Sequence, residues 1–180
     1  MKTLFFIFLL LLSFAFSISA QTNEERLIDE FSYLDCGNFM MRMHWIFLKS
    51  QESPDSKIYV IYYGGGSLRK RNLWNKKTKS LDKFQLEYPH REDGLNWAKA
   101  IPLFLTTTAE YSEEIRNSFK DRIVLINGGY QENIITEIWL VPKNVETPKP
   151  TPTIDEKDIK FRKDKPLKTP KYMDCYGQYN

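Results

Sequence analysis

Nitrogen and sulfur ligands are scarce in this chain: two histidines, His44 and His90, and two cysteines, Cys36 and Cys175. A closed zinc site would need all four at once, and two cysteines expected to bridge each other leave a poor set, so no metal is expected, and no cofactor either. Cys36 and His44 do not make a thiol–imidazole pair, because eight residues along a helix separate them by roughly 12 Å. No serine elbow, no His-Glu-x-x-His and no paired-acid motif is present. The run Gly64-Gly65-Gly66-Ser67-Leu68-Arg69-Lys70 lacks the Gly-Lys-Ser/Thr ending and the dinucleotide spacing, which leaves a strand-ending turn rather than a phosphate cradle. The chain is therefore read as non-catalytic. Its formal net charge of +3 is too small to imply nucleic acid as a partner.

Long apolar runs are missing too, with one exception at the start. Leu4 to Phe16 reads LFFIFLLLLSFAF, behind Lys2 and ahead of Ser17, Ser19 and Ala20. It falls short of the roughly 18–20 residues that span a bilayer, and its flanks are those of a secretory signal peptide cleaved just after Ala20. The expected product is secreted or periplasmic, has no transmembrane segment, and is about 160 residues long, room for one core. In an oxidising compartment an even cysteine count favours a Cys36–Cys175 disulfide over two separate thiols. It would close a loop of roughly 140 residues, worth on the order of 5 kcal/mol in the chain-entropy model.

Between residues 21 and 142 the patterning predicts one α+β domain. A strand over 25–33 precedes a helix capped by Asp35 and running to about Ser50, with Cys36, Met40, Met43 and Phe47 on its core side. Lys57 to Tyr63 (KIYVIYY) is apolar on both faces and reads as a central strand stopped by the glycines. Asp93 caps a helix carrying Trp97, Ala98, Ile101, Phe104 and Leu105, bent at Pro102. Thr107-Thr108-Ala109-Glu110 fits a capping box for a further helical piece to about Phe119. RIVLIN (122–127) and NIITEIWLV (133–141), joined through Gly128-Gly129-Tyr130-Gln131, predict an antiparallel hairpin. From Lys143 to Asn180 the chain turns proline- and lysine-rich and reads as an extended tail with little to bury.

Strand, helix, strand, helix, strand, strand, with the helices on one face of a mixed sheet, resembles the OmpA-like C-terminal domain of bacterial envelope proteins. Trp97-Ala98-Lys99-Ala100-Ile101-Pro102-Leu103-Phe104-Leu105 follows that family's helix pattern Arg-Ala-x-x-Val-x-x-Tyr-Leu, and a strand ending at Gly128 comes after it, as it does there. The resemblance implies a peptidoglycan site made by the helix Arg and an Asp after the second strand. Here Trp97 stands at the Arg place and Gly64-Gly65-Gly66-Ser67 where the Asp belongs, and an aromatic ring cannot grip a carboxylate as a guanidinium does. A remodelled site would centre on Gly66 and Trp97. The chain is also similar to small exported bacterial proteins of no known activity, built around Tyr63-Gly64-Gly65 and Glu137-Ile138-Trp139-Leu140-Val141-Pro142.

The residues themselves offer another candidate. Arg69, Lys70, Arg71, Lys76, Lys77, Lys79 and Lys83 crowd the polar segment after the glycines, with Asp82 the one acid among them and Trp74 and Phe84 interleaved. Read as a flexible cationic loop, with a short strand at 84–88, it suits phosphate-rich envelope polymers or an anionic surface; read blandly, it is a solvated edge. Glu137, beside Trp139 on a strand, reads as a solvated acid if that strand is an edge. These features point to an exported interaction module, its partner an anionic envelope polymer or a protein. Direct cell-wall binding is the second reading, and a secreted enzyme the third.

Overall fold

The computed structural model describes residues 25–67, 69–75, 77, 80–108 and 111–169, giving the backbone alone for 69–75 and 80–86. In chain order its elements are β1 (Arg26–Phe31), α1 (Cys36–Gln51), β2 (Lys57–Gly65), β3 (Arg69–Asn75), β4 (Ser80–Glu87), α2 (Asp93–Ala98), α3 (Ala100–Thr107), α4 (Glu113–Lys120), β5 (Ile123–Gln131) and β6 (Ile135–Val141). The α+β class is as expected. A four-stranded mixed sheet runs β1-β6-β2-β5, with β2 and β5 parallel and the other neighbours antiparallel.

α1 starts where its cap predicts, the Asp35 carboxylate accepting from the Asn38 N–H at 2.9 Å. Its buried line is Phe39, Met43, Ile46 and Ser50, with Cys36, Met40 and Phe47 packed at the flank. The core stripe thus lies slightly to one side of the expected one, because Phe39 is drawn edge-on to Phe104 of α3, with ring centroids 5.6 Å apart. Beyond α1, Arg122 gathers three backbone carbonyls: Nε donates to Ser56 O at 2.9 Å, and Nη2 to Ser50 O and Ser53 O at 3.1 Å each. One side chain so satisfies the carbonyls that the helix end and its turn leave open. Burial holds the guanidinium below its usual range, against a smaller opposing pull from Asp55.

The expected second helix divides at Lys99 into α2 and α3. Pro102 lies in the first turn of α3, where its missing N–H costs no bond; the joint falls one turn before it, where its ring would crowd a straight helix. The cap of α4 is Ser112, whose hydroxyl accepts from Ile115 N at 3.4 Å, not the Thr107–Glu110 box. Thr106 and Thr107 instead donate to Pro102 O and Leu103 O, both at 2.6 Å, inside the last turn of α3.

Three expectations about strands are corrected. Gly64 and Gly65 do not stop β2; they lie within it, opposite Tyr130 and Gln131 of β5. Nor are β5 and β6 a hairpin: β2 lies between them, paired to both. Gly128 to Gln131 are strand residues, and the chain crosses the end of β2 only after them, where Gly66 N and Ser67 N donate to Gln131 O and Glu132 O at 2.7 and 3.1 Å. The glycines serve close approach instead. A Cβ on Gly128 would stand 2.5 Å from the Tyr63 ring, and one on Gly94 2.9 Å from Tyr63 O and 3.1 Å from Gly64 N. Lastly, the segment after Ser67 is a separate antiparallel ribbon of β3 and β4, not a loop.

The largest departure is beyond Pro142. Residues 143–169 form a strap, not a loose tail. Ile58, Val60 and Ile138 face the helices, whereas Ile61, Tyr63 and Val141 are fully or nearly buried outside that cluster, on the other side of the sheet. The strap meets this second face. Thr147 Oγ1 bonds the Tyr59 hydroxyl at 3.5 Å, Thr151 N donates to the Tyr63 hydroxyl at 3.0 Å, and Thr153 N and Ile154 N donate to Tyr130 O. A 3-10 turn at Glu156–Asp158 follows, and Ile159 is buried.

Candidate functional site

The strap ends in a clamp on α2. Asp93, whose side chain is fully buried, takes Arg162 Nη2 on both carboxylate oxygens at 2.9 and 3.0 Å, and Leu167 N on Oδ1 at 2.8 Å. Its Oδ2 also accepts His90 N at 3.0 Å, and Asn96 Nδ2 donates to Leu167 O at 2.9 Å. Asp93 is the first residue of α2 and not its cap, a position that falls to Glu92 without a side-chain bond; the carboxylate holds the strap instead. Phe161 adds a ring contact to Tyr130 at 5.3 Å and lies under the Arg91 guanidinium at 4.6 Å. A buried ion pair needs such backbone donors around it to offset its desolvation. Composition hid the clamp, because Arg162 lies among lysines in a stretch without apolar periodicity.

The clamp bears on the Gly66–Trp97 site. Trp97 is 6% exposed, part of the helix-side core, with the Tyr33 ring against it edge-on at 4.7 Å. Gly66 follows β2 under the strap, where a Cβ would meet Ile154 Cδ1 at 2.8 Å and Ile159 Cδ1 at 3.4 Å. Trp97 is thus taken up by the core, and Gly66 is half-buried beneath the strap.

The described cationic candidates lie together on the ribbon. Arg69, Lys70 and Arg71 of β3 stand opposite Glu87, Leu86 and Gln85 of β4, and Lys83 stands opposite Leu73. Trp74 pairs with Leu81 across an irregular step that leaves Asp82 unmatched. Lys77 occupies the turn and is exposed; Lys76 and Lys79 lie outside the described residues. The ribbon pairs with no strand of the main sheet. Cys36 sits half-buried at the start of α1, packed against the core, and Cys175 lies outside the described residues, as does the expected leader before Glu25.

Glu137 is not the solvated acid expected of an edge strand. β6 is an inner strand, and Glu137 is 8% exposed. Its Oε2 accepts the Trp139 indole N–H at 2.9 Å. It stands directly opposite Glu30 of β1. The Tyr63 hydroxyl is pushed up chiefly by burial, with the nearby Glu137 carboxylate adding to it and the Thr151 bonds pulling the other way. The period-two pattern placed Glu137 and Trp139 on one face; what it lacked was the strap that covers that face.

No helix among the described residues is long and apolar enough to cross a membrane. No family model, curated protein or solved structure matches the chain.

Proposed function

We propose that this chain is an exported, non-catalytic binding module that meets anionic envelope polymers or anionic surfaces through the β3–β4 ribbon. The observation that carries this reading is the ribbon's separateness. Its strands and turn carry Arg69, Lys70, Arg71, Lys77 and Lys83 on a two-stranded element outside the main sheet, in a run with Asp82 as its one acid. A β-ribbon fixes the spacing of its cations better than a loop does, so less ordering entropy is lost on contact. Each basic residue near an anionic surface contributes on the order of 1 kcal/mol, so a few of them suffice for salt-sensitive attachment. The leader read in the first twenty residues supports the compartment.

The test is co-sedimentation of the purified protein with phosphatidylglycerol-containing vesicles, and separately with peptidoglycan sacculi carrying or stripped of anionic polymers. Retention on the anionic samples, weakened by salt and by Lys76→Ala/Lys77→Ala/Lys79→Ala, is the expected result. Equal retention on stripped sacculi, unaffected by those substitutions, would favour direct cell-wall binding instead.

A further inference from the structure

Between the second face of the sheet and the strap lies a cavity of about 580 Å³, lined among others by Glu137, Trp139, Glu25, Glu146, Lys149 and Thr151. Its floor is the buried Glu137 carboxylate. One oxygen of that carboxylate holds the Trp139 indole, and the buried Tyr63 hydroxyl lies beside the carboxylate; neither oxygen is in a salt bridge with any lysine or arginine among the described residues. Lys149, the one cation on the lining among the described residues, pairs with Glu146 at the exposed rim, 2.9 Å away, and makes no salt bridge with Glu137. A carboxylate this buried is costly to leave without a countercharge, and here the cross-strand neighbour is a second acid, Glu30, which makes the local field more negative still. The Trp139 ring supplies an apolar wall beside it, and a cation over the face of such a ring gains further.

We propose that this cavity is a binding site for a primary alkylammonium group, the charged end of a small amine, seated on Glu137 with its chain against Trp139. The site is distinct from the ribbon and rests on different residues. A primary ammonium fits better than a quaternary one because it brings the N–H donors a buried carboxylate oxygen needs. Glu25 and Glu146 at the rim add attraction on entry.

The probe is n-pentylammonium, with 1-pentanol as its neutral counterpart, followed by the Trp139 indole N–H resonance of the purified protein, assigned through Trp139→Phe. Saturable shifts with pentylammonium, binding roughly tenfold or more tighter than pentanol, are expected from one charge-assisted hydrogen bond. Glu137→Gln keeps an acceptor for the indole and removes the charge; it should weaken pentylammonium by roughly tenfold while leaving pentanol unchanged. Equal affinity for the two probes, unchanged affinity in Glu137→Gln, or no saturable shift would each overturn the proposal. Should Glu137→Gln not fold, Glu25→Gln/Glu146→Gln at the open rim decides: roughly two- to fourfold weaker pentylammonium binding supports the site, and undiminished binding overturns it.

Discussion

Asp93 and Arg162 are the pair on which the second half of the fold turns. Their side chains are 0% and 13% exposed; Arg162 is the countercharge of Asp93, while Arg162 Nη1 also holds Asp164 Oδ1 at 2.7 Å. Removing Arg162 strands the buried carboxylate: Arg162→Ala should cost about 3–5 kcal/mol of stability in urea unfolding, and Asp93→Asn less, because Asp164 still faces the guanidinium. Asp93→Asn/Arg162→Ala together should cost clearly less than the sum; strict additivity would show that the pair is not coupled. Gly94, next to Asp93, is constrained from the other side. A methyl group there meets backbone atoms of Tyr63 and Gly64, which cannot swing aside as a side chain can. Gly94→Ala should therefore cost about 1–3 kcal/mol despite its favourable helix propensity, whereas a neutral or stabilising effect would contradict the close approach of α2 to β2. Neither constraint is legible in the sequence. Asp93 and Gly94 read as an ordinary helix start, and the residue that gives Asp93 its role is 69 positions away.

At the scale of elements, local periodicity was a good guide and local capping a mixed one: Asp35 caps α1, but the cap of α4 is Ser112, past the Thr107–Glu110 box, and that of α2 is Glu92. The Asp35 cap, the two-sided apolar β2 and the buried faces of α2 and α3 follow from residues within a turn or two of one another. The larger errors came where a distant element decided. Gly128 to Gln131 look like turn residues, but they continue β5 because β2 offers them partners. The basic stretch after Ser67 is polar throughout and carries no alternation strong enough to mark strands, yet its two halves pair along their length. The strap is the largest such case. Proline and lysine made it look unable to bury anything, while Ile154, Ile159, Phe161 and Arg162 dock at separate points. Ending the chain at Pro142 would uncover Tyr63 and its neighbours on the second face. With each large side chain worth about 1.5–3 kcal/mol when buried, the loss should be at least about 3 kcal/mol. Thermal and urea unfolding of that shortened chain against the full one would check this, and equal stability would mean the strap is ornamental.

For the molecule as a whole, the strap connects the fold to the expected disulfide. Leu167 is held by Asn96 of α2, whose neighbour Trp97 touches Tyr33, three residues before Cys36. Eight residues from Leu167 to Cys175 can span up to about 27 Å when extended, which is the reach a Cys36–Cys175 bridge would draw on. Mass spectrometry of the unreduced protein should find those two cysteines in one crosslinked peptide; two alkylated thiols would refute it. Bridge and clamp together would tie the strap down at both the second sheet face and the helix layer, leaving the ribbon as the element free to meet a partner. Vesicle binding at two ionic strengths tests that role of the ribbon. The purified protein should bind phosphatidylglycerol vesicles at about 50 mM salt and lose roughly tenfold or more in affinity at about 300 mM, with Lys76→Ala/Lys77→Ala/Lys79→Ala producing a comparable loss at low salt. Binding that ignores both salt and those lysines, or no binding at low salt, would contradict it.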